Sequence, residues 1–163
     1  MPMCSVGLTH FVGVAPTRTR RDTAWAMSEV QQIARKMFAA TAGAISGDPL
    51  EDLCRLLDPD VEWIPITAPL EGSSYRGHEG VRRWIGEMKQ SWGDFEPLPK
   101  EFLDLGNGRL LAIGTWRART RISGVQLDSQ PGAWIIDFRH QKIVRMQTFT
   151  DRRRAFEAAG LSE

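Results

Sequence analysis

Cysteine is nearly missing from this chain. Cys4 and Cys54 are the only two in 163 residues, too few for a disulfide scaffold and wrongly spaced for a cysteine-based metal cluster. Such usage suits a reducing, cytoplasmic setting. An excess of charge of either sign is missing too. With 21 Lys and Arg against 20 Asp and Glu, the formal net charge is +1, so no global field draws the protein to nucleic acid or to a membrane surface. No apolar run approaches the roughly 18 residues that cross a bilayer. His10, His78 and His140 stand far apart and none pairs with cysteine at ligand spacing, so no metal site is expected. A glycine-rich phosphate loop is also lacking, and no cofactor is expected. What the chain does have is six tryptophans, 42% apolar residues and 25% charged ones, the balance of one globular domain with a sizeable core.

Residues 1–26 show no periodicity and carry the basic cluster Arg18-Thr19-Arg20-Arg21. Those charges follow the weak apolar run Val6 to Val14 instead of preceding it, the reverse of a secretory signal. A disordered tail or start-site extension is expected there, with the folded domain over 27–163. Ser28 and Gln31 then form a capping box, and Val30, Ile33, Ala34, Met37, Phe38, Thr41 and Ile45 recur at helical spacing. Ser46-Gly47-Asp48-Pro49 stops that helix. Asp48 is expected to cap a second, shorter one with Pro49 at its first position and Leu50, Leu53 and Leu57 along one side.

Asp58-Pro59-Asp60 reads as a turn and Val61 to Ile66 as a strand. Pro69 to Gly77 reads as a loop. A third helix opens at His78 or Glu79, with Val81, Trp84, Ile85, Met88 and Trp92 as its buried stripe and Gly93 as its stop. After Gly93 the period changes to two. Strands are expected over Leu98 to Leu105, Arg109 to Ile122, Ala133 to Arg139 and Lys142 to Thr150, with turns at Gly106-Asn107-Gly108, Gly124 and Asp128 to Gly132. Asp151 caps a terminal helix that has Phe156 inward and Gly160 as its stop. The order is helix, helix, strand, helix, then mainly antiparallel strands, an α+β chain with its helices on one face.

Five stretches carry a resemblance. They are Asp58-Pro59-Asp60-Val61-Glu62-Trp63, Leu70-Glu71-Gly72, Tyr75-Arg76-Gly77-His78-Glu79-Gly80-Val81, Ser123-Gly124-Val125, and Lys142-Ile143-Val144-Arg145 with Asp151-Arg152. In that order and spacing, residues 30–161 resemble the SnoaL-like branch of the ketosteroid-isomerase-like superfamily, also called nuclear transport factor 2-like. The resemblance implies a cone-shaped, strongly curved, mainly antiparallel sheet, with three N-terminal helices and a short C-terminal helix around one apolar cavity. It also implies a homodimer. It does not imply a reaction, because the superfamily holds steroid isomerases, polyketide cyclases, dehydratases, epoxide hydrolases and members without catalysis.

The isomerases it resembles use an aspartate base on the first strand, a tyrosine on the first helix and a protonated aspartate on a later strand. Here those places fall on Trp63, on or next to Ala40, and near Trp134, so steroid isomerisation is not expected. An epoxide hydrolase needs two carboxylates and an arginine aimed at one water. The sheet region offers Asp137 alone, and alternation puts it on the face opposite Trp134, Ile136 and Phe138.

Two readings stay open. One is a cofactor-independent cyclase, isomerase or dehydratase that moves a proton next to a carbonyl, with His78, Asp151 or Glu71 as the acid/base group. The other is a binding or regulatory module that uses the same cavity without a reaction. In both, a small apolar, polyketide-like or cyclic molecule is expected against Trp63, Tyr75, Trp84, Trp116, Trp134, Met146 and Thr148. Leu111 and Ile113 share a face with Arg117, Arg119 and Arg121 and need cover, which suggests a homodimer through the open sheet face.

Overall fold

Apolar spacing of three and four residues builds the first helix, α1 (Arg20–Ser46), and seats Ala34, Met37, Phe38, Thr41 and Ile45 against the rest of the protein. The computed structural model describes the backbone of residues 20–66 and 74–162, and side chains from Glu29 onward. The Thr41 hydroxyl, buried in this stripe, donates to the Met37 carbonyl at 2.7 Å, which keeps a polar group in the core satisfied. A one-turn helix, α2 (Glu51–Cys54), then leads into β1 (Leu57–Ile64). A short strand, β2 (Tyr75–Arg76), runs directly into α3 (Gly77–Ser91). Gly77 at that junction has φ of +69°, and a β-carbon there would sit 3.0 Å from the Pro59 carbonyl oxygen, so glycine serves both the backbone conformation and the space. Val81, Trp84 and Ile85 are the buried face of α3.

Four long strands follow: β3 (Trp92–Gly106), β4 (Arg109–Thr120), β5 (Gln126–Arg139) and β6 (Lys142–Phe149). The last helix is α4 (Arg152–Ala159). The sheet has the order β2-β1-β6-β5-β4-β3, with β1 parallel to β6 and the other pairs antiparallel. It is curved and does not close, giving the α+β cone expected from the sequence. Register places Trp63 opposite Met146, and Met146 opposite Ile136. One step along, Thr148 faces Trp134 and Trp134 faces Ala112. These neighbours lie on the face covered by α1 and α3. The small Ala112 leaves room for the neighbouring indole.

The other face has its own core. Leu111, Ile113, Ala133 and Ile135 are buried with Ala155 of α4, and Leu103, Leu105, Phe149 and Phe156 pack around them. Helices therefore lie on both faces, not on one. This also removes the ground given above for a dimer. Leu111 and Ile113 are 0% and 8% exposed within a single chain, because α4 already covers them.

Local boundaries differ from expectation where turn chemistry was overruled by pairing. Asp58-Pro59-Asp60 lies inside β1. Its turn character survives as an irregular register between Leu57 and Glu62 and as a 2.9 Å bond from the Asp60 N–H to the Asp58 carboxylate. The segment Asp128 to Gly132 lies inside β5, with Ser129 at φ of +51°. Trp92 is the first residue of β3 and Gly93 the second, so neither belongs to α3. α2 begins at Glu51, and its N-cap is Leu50 without a side-chain bond, not Asp48. α1 begins at Arg20, eight residues before the capping box. The turn at Gly106-Asn107-Gly108 forms as expected, with positive φ at all three residues.

Candidate ligand-binding site

The concave side of the sheet, α1 and α3 leave a pocket of about 240 Å³ between them. α1 contributes Met37, Phe38 and Thr41, α3 contributes Trp84 and Met88, and the sheet contributes Trp63, Trp92, Phe95, Pro97, Trp116, Trp134, Met146 and Thr148. Pro65, Ile66 and Thr150 complete the described lining. The inner part is built from ring pairs. Phe38 meets Trp134 edge-on at 5.0 Å between centroids, and Trp63 lies 5.3 Å from Trp84. The outer part is a half-buried aromatic group in which Phe95 stacks on Trp116 at 5.5 Å and Trp92 lies 6.3 Å from each.

No Asp, Glu, His, Lys, Arg, Cys or Tyr is among these described lining residues. Three polar groups there have partners within the protein. The Thr41 hydroxyl donates to Met37 O, the Thr148 hydroxyl to the Met146 sulfur at 3.4 Å, and the Trp116 indole N–H to Pro131 O at 3.1 Å. Trp63 differs: it is 1% exposed and its Nε1 has no hydrogen-bond partner among the described residues.

Six residues singled out as ligand contacts from sequence lie around this pocket: Trp63, Trp84, Trp116, Trp134, Met146 and Thr148. Tyr75 does not. It is buried at the β2–α3 junction, where its hydroxyl donates to Glu87 and the Arg83 guanidinium lies 4.9 Å from its ring centroid. Neither His78 nor Asp151, the two described acid/base candidates, is among the pocket's described lining residues. The His78 ring Nε2 is 3.1 Å from the Leu57 carbonyl oxygen and ties the start of α3 to the start of β1. Asp151 accepts from the Arg153 N–H at 2.9 Å as the N-cap of α4. Glu71 lies outside the described residues.

Asp137 is half-buried and ion-paired to Arg109 at 3.1 Å, in the strand position between Ile136 and Phe138. Glu62 pairs with Arg145 at 3.2 Å. Arg117 and Arg119 pair with Glu96 and Asp94 across β3 and β4, and Arg121 donates to the Lys89 carbonyl. Burial raises the Cys54 thiol pKa above its usual value, opposed by the nearby Arg82 charge. Among the described residues no group of three or more His, Cys, Asp or Glu is placed to hold a metal ion, and no helix is long and apolar enough to cross a membrane.

Sequence reasoning passed over several lining residues. Met37, Phe38 and Thr41 belong to the helical stripe of α1, and that spacing serves a core and a pocket wall equally. Phe95 and Pro97 were missed because β3 was expected to begin at Leu98, whereas it begins at Trp92. Six prolines and glycines between 93 and 114 hide that strand's start from any test of alternation.

Comparison with known proteins follows the geometry. The sequence pattern of the SnoaL-like domain matches residues 34–146. Among curated proteins there is no match. A protein of unknown function with the NTF2-like fold from Burkholderia pseudomallei is similar in structure at a TM-score of 0.65 and 21% identity, covering 80% of this chain and 97% of that one. TerC, co-crystallised with polyporic acid, is similar at a TM-score of 0.60 and 22% identity, with 78% and 98% covered. A protein provisionally assigned as a SnoaL-like polyketide cyclase from Jannaschia sp. CCS1 is similar at 0.59 and 14% identity, with 83% and 94% covered.

Proposed function

The chain belongs to the SnoaL-like domain family, and from that premise we propose that it is a binding module for a small, uncharged, largely apolar ring compound of polyketide-like character. One observation carries the choice of binding over catalysis. A proton-transfer reaction needs a titratable group within hydrogen-bond reach of the reacting atom, and the described lining of the pocket contains none. His78 and Asp151 are engaged elsewhere in the fold, on a backbone carbonyl and a helix N-terminus. The ring-rich wall supports a flat or cyclic occupant, since aromatic faces and methionine sulfur adapt to such shapes. TerC, with the same fold, was co-crystallised with polyporic acid, which is consistent with a ring compound.

The working unit in this proposal is a homodimer in the cytoplasm. Its apolar contact comes from the margin of the α4 face, where Leu103, Leu105 and Phe149 remain half-buried. The test is extraction of whatever small molecule co-purifies with the protein, identified by mass spectrometry, followed by its return to fresh protein. A neutral ring compound recovered unchanged after long incubation is the expected result. Its conversion over many turnovers would overturn the binding reading and restore an enzyme. Failure of any neutral apolar compound to bind would overturn the ligand reading itself.

A further inference from the structure

Resting on the reading of the pocket as an apolar ligand site, we propose that Gly132 sets the size of molecule it accepts. Gly132 is not among the described lining residues. It is a positioning residue: by lacking a β-carbon it lets the Trp134 and Trp116 indoles lie back against the sheet. The hollow of about 240 Å³ that results takes a flat molecule of two fused rings, where a cavity of about 150 Å³ holds a single benzene ring. With a methyl group at position 132, the pocket keeps room for one ring only.

Gly132 is buried on β5, opposite Gly114 of β4. Its backbone does not call for glycine, since its φ is not in the left-handed region. The space around it does. A β-carbon there would lie 2.7 Å from Cη2 and 2.9 Å from Cζ2 of Trp134, at the far edge of the six-membered ring, and 3.2 Å from Cδ1 of Trp116. Both of these indoles line the pocket. Gly132 and Trp134 stand two residues apart on one strand, so their side-chain positions share a face. The Trp134 ring leans along the strand and covers the place where a side chain at 132 would stand.

The surroundings decide where a displaced ring must go. Trp116 is held by its N–H bond to Pro131 O at 3.1 Å, so it yields little. Trp134 meets Phe38 of α1 edge-on at 5.0 Å and has Ala112 and Thr148 as its neighbours across the sheet. The strands lie beneath it. An added methyl group therefore lifts the Trp134 ring off the sheet, and the space above that wall is the pocket. Close-packed rings do not absorb an extra carbon without such a shift. The ring that moves is part of the wall, so the larger ligand loses its place before the smaller one does.

Benzyl alcohol and 2-naphthalenemethanol, neutral probes that differ by one fused ring, test this. Each is titrated into the whole protein and its variants by NMR, with the indole N–H resonances as reporters. The wild-type protein should bind the naphthyl probe at least about tenfold more tightly than the benzyl one. Gly132→Ala should cut that preference about tenfold. Gly114→Ala is the control for general loosening, because its β-carbon meets the backbone of β3 and not a ring. It should leave the preference unchanged. Gly132→Ala in a Trp134→Phe background should restore the preference, since phenylalanine lacks the ring edge that the new methyl group meets. If Gly132→Ala keeps the wild-type preference, or Gly114→Ala loses it equally, the role of Gly132 is refuted while the apolar-pocket reading stands. A wild-type protein that takes the benzyl probe and refuses the naphthyl one refutes it too. If neither probe binds, the pocket reading falls and this proposal with it. Should Gly132→Ala alone fail to fold, the double variant decides: it should fold and take the naphthyl probe, and failure of either overturns the proposal.

Discussion

Replacing Gly114 by alanine adds one methyl group in the middle of the sheet, and the structure says where it must go. Gly114 on β4 lies opposite Pro99 of β3 and Gly132 of β5. A β-carbon there would press into the Leu98 carbonyl oxygen and lie 2.8 Å from the Pro99 α-carbon. Those are backbone atoms, so no rotamer change relieves the contact. β3 or β4 has to move, next to an irregular register between Pro99 and Glu101. Overpacking of this kind costs about 1–3 kcal/mol, while alanine restricts the unfolded chain and returns roughly 0.4–1 kcal/mol. The expected net loss is about 1.3 kcal/mol, or a fall in Tm of roughly 3–5 °C for a domain of this size. Urea unfolding of Gly114→Ala and wild type measures it. Gly86→Ala is the control, because that helical glycine is exposed with nothing within 4 Å of an added β-carbon. It should stabilise by about 0.5–1 kcal/mol. If Gly114→Ala stays within about 0.5 kcal/mol of wild type, the close approach of the β3 backbone to Gly114 is not what requires glycine there.

Asp151→Ala removes the N-cap bond of α4 and should cost about 1 kcal/mol in chemical denaturation. It should leave the binding of a neutral ring compound unchanged, since α4 covers the opposite face of the sheet; a loss of binding would contradict that separation. Trp134→Ala removes a ring shared by core and pocket. It should cost about 3–5 kcal/mol and weaken the binding of a neutral ring compound, read by calorimetry. A neutral apolar ligand at 100 times its Kd should stabilise the wild-type protein by about 2.7 kcal/mol, visible as a higher Tm in differential scanning. Cys54 has a thiol pKa raised by burial, so the folded state holds that proton more tightly than the unfolded state does. Its contribution is complete below the unfolded thiol's pKa, about 8.5, and is lost as pH rises through the folded value. Stability in the alkaline range should therefore fall more steeply in wild type than in Cys54→Ala, followed by urea midpoints across pH.

Much of the architecture was legible without coordinates, because it rests on periodicities that local chemistry dictates. The three- and four-residue spacing around Met37 and Phe38, the stripe Val81, Trp84 and Ile85, and the Gly106-Asn107-Gly108 turn each specify an element through short-range sterics and one apolar face. The alternation at Leu110 and Ala112 against Leu111 and Ile113 likewise separated two faces of β4. The starts of β4 and β6 and the end of β5 fell where expected, at Arg109, Lys142 and Arg139, but other strand ends were not legible. Asp58-Pro59-Asp60 and Asp128 to Gly132 carry turn chemistry, yet both run within strands, because a neighbouring strand offers backbone hydrogen bonds that a local pattern cannot anticipate.

Composition and spacing by themselves determined that this chain makes a single α+β layer structure with a tryptophan-rich interior and no charged field around it. Tertiary structure alone decided which side chains meet in that interior and which polar groups find partners. It put α4 over Leu111 and Ile113, took Tyr75, His78 and Asp151 into contacts with the protein's own groups, and left the Trp63 N–H without one. The physical reason is that a side chain's hydrogen-bond partner can lie on another element, as many as 112 residues away in the case of Gln141 and Glu29. Whether a polar group is spent or still available is therefore settled only when the elements meet.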